Sequence, residues 1–239
     1  MILNQKNILV FGANSEIIEH MVLGILKAGA QVCFICSANS ELQSNDSLTI
    51  LEHDFYQFDR NNEIEEKISS IQWDGVLYAG GKGGVRPVKL NSPDFVEDMF
   101  HANVFTFFEW IRLLSKKRCL NVGASIVAMS SVSSIKGLKS KTVYSSSKAA
   151  LDAAIRGMAA ELADKKIRVN SIQKGWVSSD MNLNFIQNNM AINNDNDFNR
   201  QLLGAIDPEE IANLCVFLLS DQVKTLTGTN ILLDGGYTL

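Results

Sequence analysis

Seven short apolar runs, separated by longer stretches with helical spacing, constrain this chain more than any other feature of its sequence. The runs are Asn7–Phe11, Gln31–Cys36, Leu48–Glu52, Gly75–Tyr78, Ser125–Met129, Arg168–Ile172 and Asn230–Leu233. Each has the length of a strand rather than a helix. Between the first two runs, Ile17, Met21, Val22, Ile25 and Leu26 recur at the spacing of one helix face. Ser92-Pro93-Asp94 opens a later helix, with proline in the first turn where its missing N–H costs little, and Asp207-Pro208-Glu209-Glu210 opens another. Strand and helix alternating with no break in composition predict an α/β fold, one parallel sheet covered by helices on both faces. The whole chain, residues 1–239, reads as a single domain without linker or repeat.

Several classes of function are disfavoured. The 22 basic and 26 acidic residues leave a formal charge of −4, and no basic run offers a nucleic-acid surface. The longest apolar stretches, such as Leu214–Leu219, fall far short of the ~20 residues of a membrane helix. The N-terminal MILNQKNILVFGA lacks the basic segment and long apolar core of a signal peptide, so a cytoplasmic location is expected. Cys33 and Cys36 form a Cys-x-x-Cys, but on a strand positions i and i+3 face opposite ways, which predicts two core cysteines rather than a redox pair or metal ligands.

The first strand runs into Gly12-Ala13-Asn14-Ser15-Glu16-Ile17-Ile18 and then a helix. A glycine there permits a tight turn, and the helix N-terminus offers free N–H groups and partial positive charge to a pyrophosphate. Ala79, Gly80 and Gly81 follow the fourth strand, where small residues let a cofactor lie against the strand ends. Asp54 follows the third strand and is either an acceptor for an adenine amino group or a solvated turn residue. Leu226-Thr227-Gly228 and Asp234-Gly235-Gly236 flank the last strand.

Tyr144 and Lys148 lie four apart at the head of a long helical run, so they share a face. A nearby ammonium favours the phenolate and should lower the tyrosine from its ordinary value near ~10, giving a general acid or base for a carbonyl and its alcohol. Ser131 lies thirteen residues before Tyr144, just past a strand end, where its hydroxyl can steady a substrate oxygen.

Ser131, Tyr144, Lys148 and the early glycine turn together resemble the short-chain dehydrogenase/reductase family, and the resemblance covers essentially the whole chain. It implies a single Rossmann-type domain with a seven-stranded sheet in the order 3-2-1-4-5-6-7. It implies an oxidoreductase that passes a hydride between a nicotinamide cofactor and a carbonyl or secondary alcohol. Tyr144 would pass the proton, Ser131 orient the substrate oxygen, and Lys148 tune Tyr144 and hold the nicotinamide ribose. Asn103, in MFHANVFTFF, matches the family's helix asparagine linking the lysine to a water relay. Gly12, Asn14, Ser15, Ile17, Ser37, Asp54, Ala79, Gly80, Gly81, Tyr144, Lys148, Gly175, Val177 and Ser179 fall at positions implied to contact the cofactor.

The departures cluster at the cofactor. Glu16 and Ile18 replace the second and third glycines of the family's turn, and Tyr78-Ala79-Gly80-Gly81 stands for its Asn-Asn-Ala-Gly. Lys174 replaces a proline before Gly175, and Ser179 a threonine that contacts the carboxamide. The second strand ends Cys36-Ser37-Ala38-Asn39, with no acid to bind a ribose 2′-hydroxyl and no base for a 2′-phosphate, which tips the choice between NAD and NADP slightly to NADP. The rival reading is a catalytically silent nucleotide-binding or scaffold protein. Residues 182–199 hold eight asparagines, and a mobile substrate loop is expected over about 180–206. The substrate is a small or carrier-bound carbonyl compound, a 3-oxoacyl thioester or a sugar or other alcohol. The resemblance implies a homodimer or homotetramer built on helices over about 93–117 and 142–163.

Overall fold

The computed structural model describes residues 1–37, 40–57, 62–179 and 200–239. Seven parallel strands form one sheet in the order β3-β2-β1-β4-β5-β6-β7. They are β1 (Asn7–Gly12), β2 (Gln31–Cys36), β3 (Leu48–Glu52), β4 (Trp73–Tyr78), β5 (Leu120–Ser131), β6 (Arg168–Lys174) and β7 (Asn230–Leu233). The helices are α1 (Glu16–Lys27), α2 (Asn62–Ser69), α3 (Pro93–Phe100), α4 (Thr106–Lys116), α5 (Thr142–Leu162) and α6 (Pro208–Leu219). Every apolar run named from the sequence is a strand. The structure lengthens β5 at both ends and carries β6 on to Lys174, so Ser131 is the last residue of its strand rather than a residue beyond it.

Alternation along each strand divides the core in two. Ile8, Val10, Val32, Phe34 and Cys36 face α1 and α6, whereas Leu9, Phe11, Cys33 and Ile35 face the layer of α4 and α5. Cys33 and Cys36 therefore lie on opposite sides of the sheet, and all four cysteines are free and buried. On α1 the buried stripe runs through Ile18, Met21, Val22 and Ile25, with Ile17 and Leu26 at its margins, a slight rotation from the expected face. Gly24 lets α1 lie close to α6, since a Cβ there would come within 3.1 Å of the Ala212 methyl.

The region from 93 to 117 is two helices joined by a π turn, His101–Phe105. The wider turn adds one residue to the spiral, a device common where a side chain must be re-aimed. Ser92 caps α3, and α6 begins with a capping box in which Asp207 and Glu210 satisfy each other's backbone N–H groups.

The expected loop over 180–206 lies outside the described residues up to 199. Of the remainder, Ile206 is buried and bridges to Val177, while Leu202 and Leu203 are exposed. No helix among the described residues is long and apolar enough to cross a membrane.

The C-terminal end of α6 is held by Arg168, a buried residue that opens β6. Its guanidinium donates to the carbonyls of Leu218 at 2.9 Å and Ser220 at 2.7 Å. Those carbonyls belong to the set a helix leaves unsatisfied at its end. Replacing Arg168 by Met leaves the Leu218 carbonyl its bond from the Ser125 hydroxyl at 2.7 Å but strands the Ser220 carbonyl, and should cost about 1–3 kcal/mol. The check is a urea unfolding curve, whose midpoint should fall with its slope unchanged; an unchanged midpoint would show that water replaces the guanidinium.

Candidate active site and cofactor groove

Two cavities open at the C-terminal edge of the sheet. One, of about 570 Å³, runs over the β1–α1 turn and is lined by Asn14, Ser15, Ile17, Ala79, Gly81 and Ser179 among others. The other, of about 520 Å³, is lined by Ser131, Tyr144, Gly175 and Trp176 beside an apolar wall. Lys174 lines both and so marks their boundary.

Gly12 is buried beneath the turn and does not itself line the groove. A Cβ at this position would sit 2.7 Å from the Ile18 Cδ1. Ile18 thus fills the volume that glycine leaves open, and its side chain is 6% exposed. The bulk introduced by replacing the family's third glycine goes into the core between turn and helix. Glu16, the first residue of α1, is exposed. The Ser15 side chain makes no cap to α1, and its carbonyl accepts from the Ile18 and Glu19 N–H groups.

Other predicted cofactor residues take different positions. Ser37 is partly exposed at the end of β2, Gly80 packs over Phe55, and Val177 is buried. Asp54 accepts from the Tyr56 N–H at 3.2 Å and the Gln57 amide at 3.0 Å, so it serves its own turn. Two carboxylates that the sequence did not suggest, Glu19 and Glu41, line the groove together with Glu16. Partial burial holds Glu19 above the usual carboxylate range, and nearby Glu41 pushes the same way.

At the catalytic end, Ser131 closes β5 and Tyr144 stands in the first turn of α5, and both line the second cavity. The Ser131 hydroxyl lies 3.2 Å from both the Ser133 N–H and its hydroxyl. Lys148, 5% exposed, donates to the Met129 carbonyl at 2.9 Å. Its ammonium is 6.0 Å from the centre of the Tyr144 ring. The spacing predicts that Lys148 lowers the Tyr144 phenol; in the free protein the phenol is instead raised, burial outweighing the opposing hydrogen bond from Ser131. Burial and then the like charge of Lys174 push Lys148 down to about 8.

Asn103 lies within the π turn and is fully buried. Its amide donates to the Lys82 carbonyl at 3.0 Å and the Ser147 hydroxyl at 2.9 Å, and its oxygen accepts from the Lys82 N–H at 2.9 Å. Ser147 in turn donates to the Tyr144 carbonyl at 2.7 Å. The asparagine therefore ties the segment after β4 to the first turn of α5, a role the sequence did not disclose. Tyr56 was also missed: its hydroxyl accepts from the Gly81 N–H at 2.7 Å. Gln201, which accepts from the Trp176 N–H at 3.0 Å, holds the segment after β6 in the same manner. No local pattern in the sequence marks such residues as buried ties rather than surface polar groups.

One turn below Lys148, the buried Asp152 accepts from Ser171 at 3.0 Å and from Gln173 at 2.7 Å, fastening α5 to β6. Gly81 admits no side chain. Its φ is +152°, and a Cβ would lie 2.6 Å from the Asn103 Oδ1 and 3.1 Å from the Lys148 Nζ. Gly81→Ala should cost about 1–3 kcal/mol of stability through strain in this cluster. Gly83→Ala, where a Cβ meets nothing within 4 Å, is the control. Thermal melting of both variants decides; equal melting points would mean that the cluster yields freely.

Comparison with known proteins agrees with this geometry. Residues 19–238 match a family model described as enoyl-(acyl carrier protein) reductase. Dehydrogenase/reductase SDR family member 6 of Rattus norvegicus is 28% identical over 249 residues, covering 99% of each chain. L-xylulose reductase of Caenorhabditis elegans is 29% identical over 247 residues, covering 98% of this chain and 96% of its own. The solved structure of 4-hydroxyisoleucine dehydrogenase complexed with NADH superposes with a TM-score of 0.87 at 25% identity, covering 98% and 99% of the two chains. With a family model spanning nearly its full length and relatives matched end to end, this chain belongs to the short-chain dehydrogenase/reductase family.

Proposed function

We propose that the protein is a nicotinamide-dependent oxidoreductase that interconverts a carbonyl and a secondary alcohol, with Tyr144 as the proton donor and acceptor. The observation that carries this reading is the convergence of Ser131, Tyr144 and Lys148 beside a groove that runs over the β1–α1 turn and the N-terminus of a helix. The groove suits a dinucleotide: the α1 N-terminus would take the pyrophosphate, and Gly81 keeps its wall free of side chain. Ser179 would meet the carboxamide and Lys148 the ribose hydroxyls. A nicotinamide bound there supplies or accepts the hydride.

The chain's own contribution is to the oxygen. For reduction, Ser131 donates to the substrate carbonyl while Tyr144 gives up its proton to the same atom. A phenol held above its ordinary value stays protonated at neutral pH, which is the form reduction needs. For oxidation the phenol must first lose its proton, and charged Lys148 favours that loss through its proximity. Asn103 acts as a positioning residue, fixing the first turn of α5 through Ser147. A sugar or another secondary alcohol is the substrate class that the names of the relatives support. Phe105 and Phe108, each about half exposed along the π turn and α4, support a homo-oligomer built on α4 and α5.

Tyr144→Phe should bind cofactor as the parent does and lose about 10²–10⁴-fold in turnover on any active substrate, measured by absorbance of the reduced cofactor. Turnover within tenfold of the parent would remove Tyr144 from the chemistry.

We assign the cofactor as NAD(H) in preference to NADP(H). The end of β2 leans slightly the other way because it lacks an acid, but Glu41 supplies one to the groove with Glu16 and Glu19 nearby. A 2′-phosphate beside those carboxylates is unfavourable, whereas a 2′-hydroxyl is not. Titration followed by thermal stability should show NADH binding at least about tenfold tighter, and Glu41→Gln should narrow the gap. A hundredfold excess over the dissociation constant stabilises a protein by about 2.7 kcal/mol, well within measurement. Tighter NADPH binding sinks the assignment. No shift with either at millimolar concentration replaces the enzyme by the silent nucleotide-binding or scaffold reading.

A further inference from the structure

Trp176 is the largest side chain on the wall of the substrate cavity and stands two residues past Lys174, the end of β6. Past the end of a strand the sheet no longer supplies partners for the backbone, yet both backbone groups of Trp176 are taken. Its N–H donates to the Gln201 Oε1 at 3.0 Å, and its carbonyl accepts from the Gln201 Nε2 at 3.1 Å and the Ile206 N–H at 2.9 Å. The Gln201 amide thus acts as a neighbouring strand would, and at 3% exposure it is shut off from water. Gly175 lets it approach, since a Cβ there would lie 2.5 Å from the same Oε1.

Gln201 is itself held from behind. The Leu203 N–H donates to the Gly235 carbonyl at 2.9 Å, and a Cβ on Gly235 would lie 2.7 Å from the Gln201 Cγ. Gly235 belongs to a turn after β7 that Asp234 ties together. That carboxylate accepts from the Gly236 N–H at 3.0 Å, the Thr238 N–H at 2.9 Å and the Thr238 hydroxyl at 2.7 Å. The same turn grips a second segment of the cavity wall. Lys136, downstream of Ser131, donates to the Tyr237 carbonyl at 2.7 Å, with its ammonium 4.1 Å from the centre of the Tyr237 ring. Further along that segment Leu138 and Lys141 line the cavity, and the Lys141 ammonium lies 4.7 Å from the centre of the Trp176 ring. Trp176 is therefore held at its backbone by one segment and at its ring by another, and both run back to residues 234–238.

We propose that Trp176 is the specificity-determining residue of the substrate cavity, with Gln201 and Lys136 as positioning residues that act through it. The inference rests on the oxidoreductase reading above. The indole stands with Val132 and Leu138 in the cavity that holds Ser131 and Tyr144, so it meets the carbon skeleton of a substrate whose oxygen those two engage. It lines this cavity and not the cofactor groove, so cofactor affinity is independent of it.

The test compares cyclohexanone with the bulkier 4-phenylcyclohexanone, with NADH. Trp176→Ala should shift the ratio of kcat/KM toward the bulky ketone by about tenfold or more, and Trp176→Phe should keep most of the parent's ratio. Gln201→Met and Lys136→Met should each move the ratio the same way by less, with NADH affinity unchanged, and Lys136→Arg should restore it. Placed on Trp176→Ala, neither should add a change, because the ring through which they act is gone. A ratio unmoved by Trp176→Ala overturns the proposal. So does an effect of Gln201→Met or Lys136→Met that persists undiminished without the indole, or a tenfold loss of NADH affinity in Trp176→Ala with the ratio intact. Lys136→Met removes only a half-buried side chain and serves if Gln201→Met fails to fold. If neither ketone is turned over, acrylamide quenching decides. Of the three tryptophans, Trp73 and Trp110 are 1% and 4% exposed, so quenching reports on Trp176. Stronger quenching in Gln201→Met and in Lys136→Met supports the proposal, and quenching unchanged in both overturns it. Failure of NADH and NADPH to bind the parent is separate and removes the oxidoreductase reading itself.

Discussion

A strand covered on both faces has only its ends through which polar groups meet solvent, and that constraint organises this molecule. Because the seven strands are parallel, their C-terminal ends share one edge, and everything that can touch a ligand collects there. Gly12, Ala79, Ser131 and Lys174 come from four different strand ends, at positions 12, 79, 131 and 174 of the chain, and reach one another through the sheet order alone. The helices are fastened to suit this edge. Asp152 joins α5 to β6, and Asn103 joins α5 to the segment after β4, so Tyr144 is positioned from two sides.

Much of this was legible in the residues because burial on both faces makes a strand uninterruptedly apolar. The central part of β5 shows that signal in Ser125–Met129, while its start, with Asn121 and Gly123, does not. The parallel layout follows from alternation, but the sheet order came through family resemblance, since apolar runs say nothing about which neighbour they choose. Tyr144 and Lys148 were readable because helical spacing puts them on one face. The π turn at His101–Phe105 was not, because HANVF has the composition of an ordinary helix and the extra residue leaves no mark in it.

The groove departures show how volume and charge were redistributed. The family's turn keeps glycines so that helix and strand approach; here Ile18 occupies the space over Gly12 and the approach is retained by packing. Glu41 could not be found by reading the end of β2, because it enters the groove from a segment without periodicity. Asp54 accepts two bonds within its own turn, which the local sequence did not specify. In each case local composition was ambiguous and three-dimensional packing decided.

The division of the core also bears on how the protein meets oxidants and thiol reagents. Cys33 and Cys36 look like a redox pair on paper, yet the sheet stands between them, and their sulfurs cannot meet without unpairing β2. Burial lifts the Cys33 thiol to about 11 and the Cys215 thiol to about 12, so little of either exists as the reactive thiolate at neutral pH. All four thiols are sheltered while the domain is folded and all four are released together when it opens. The chain thus carries its own gauge of unfolding: a slow thiol reagent reads the population of open molecules without any label having been introduced.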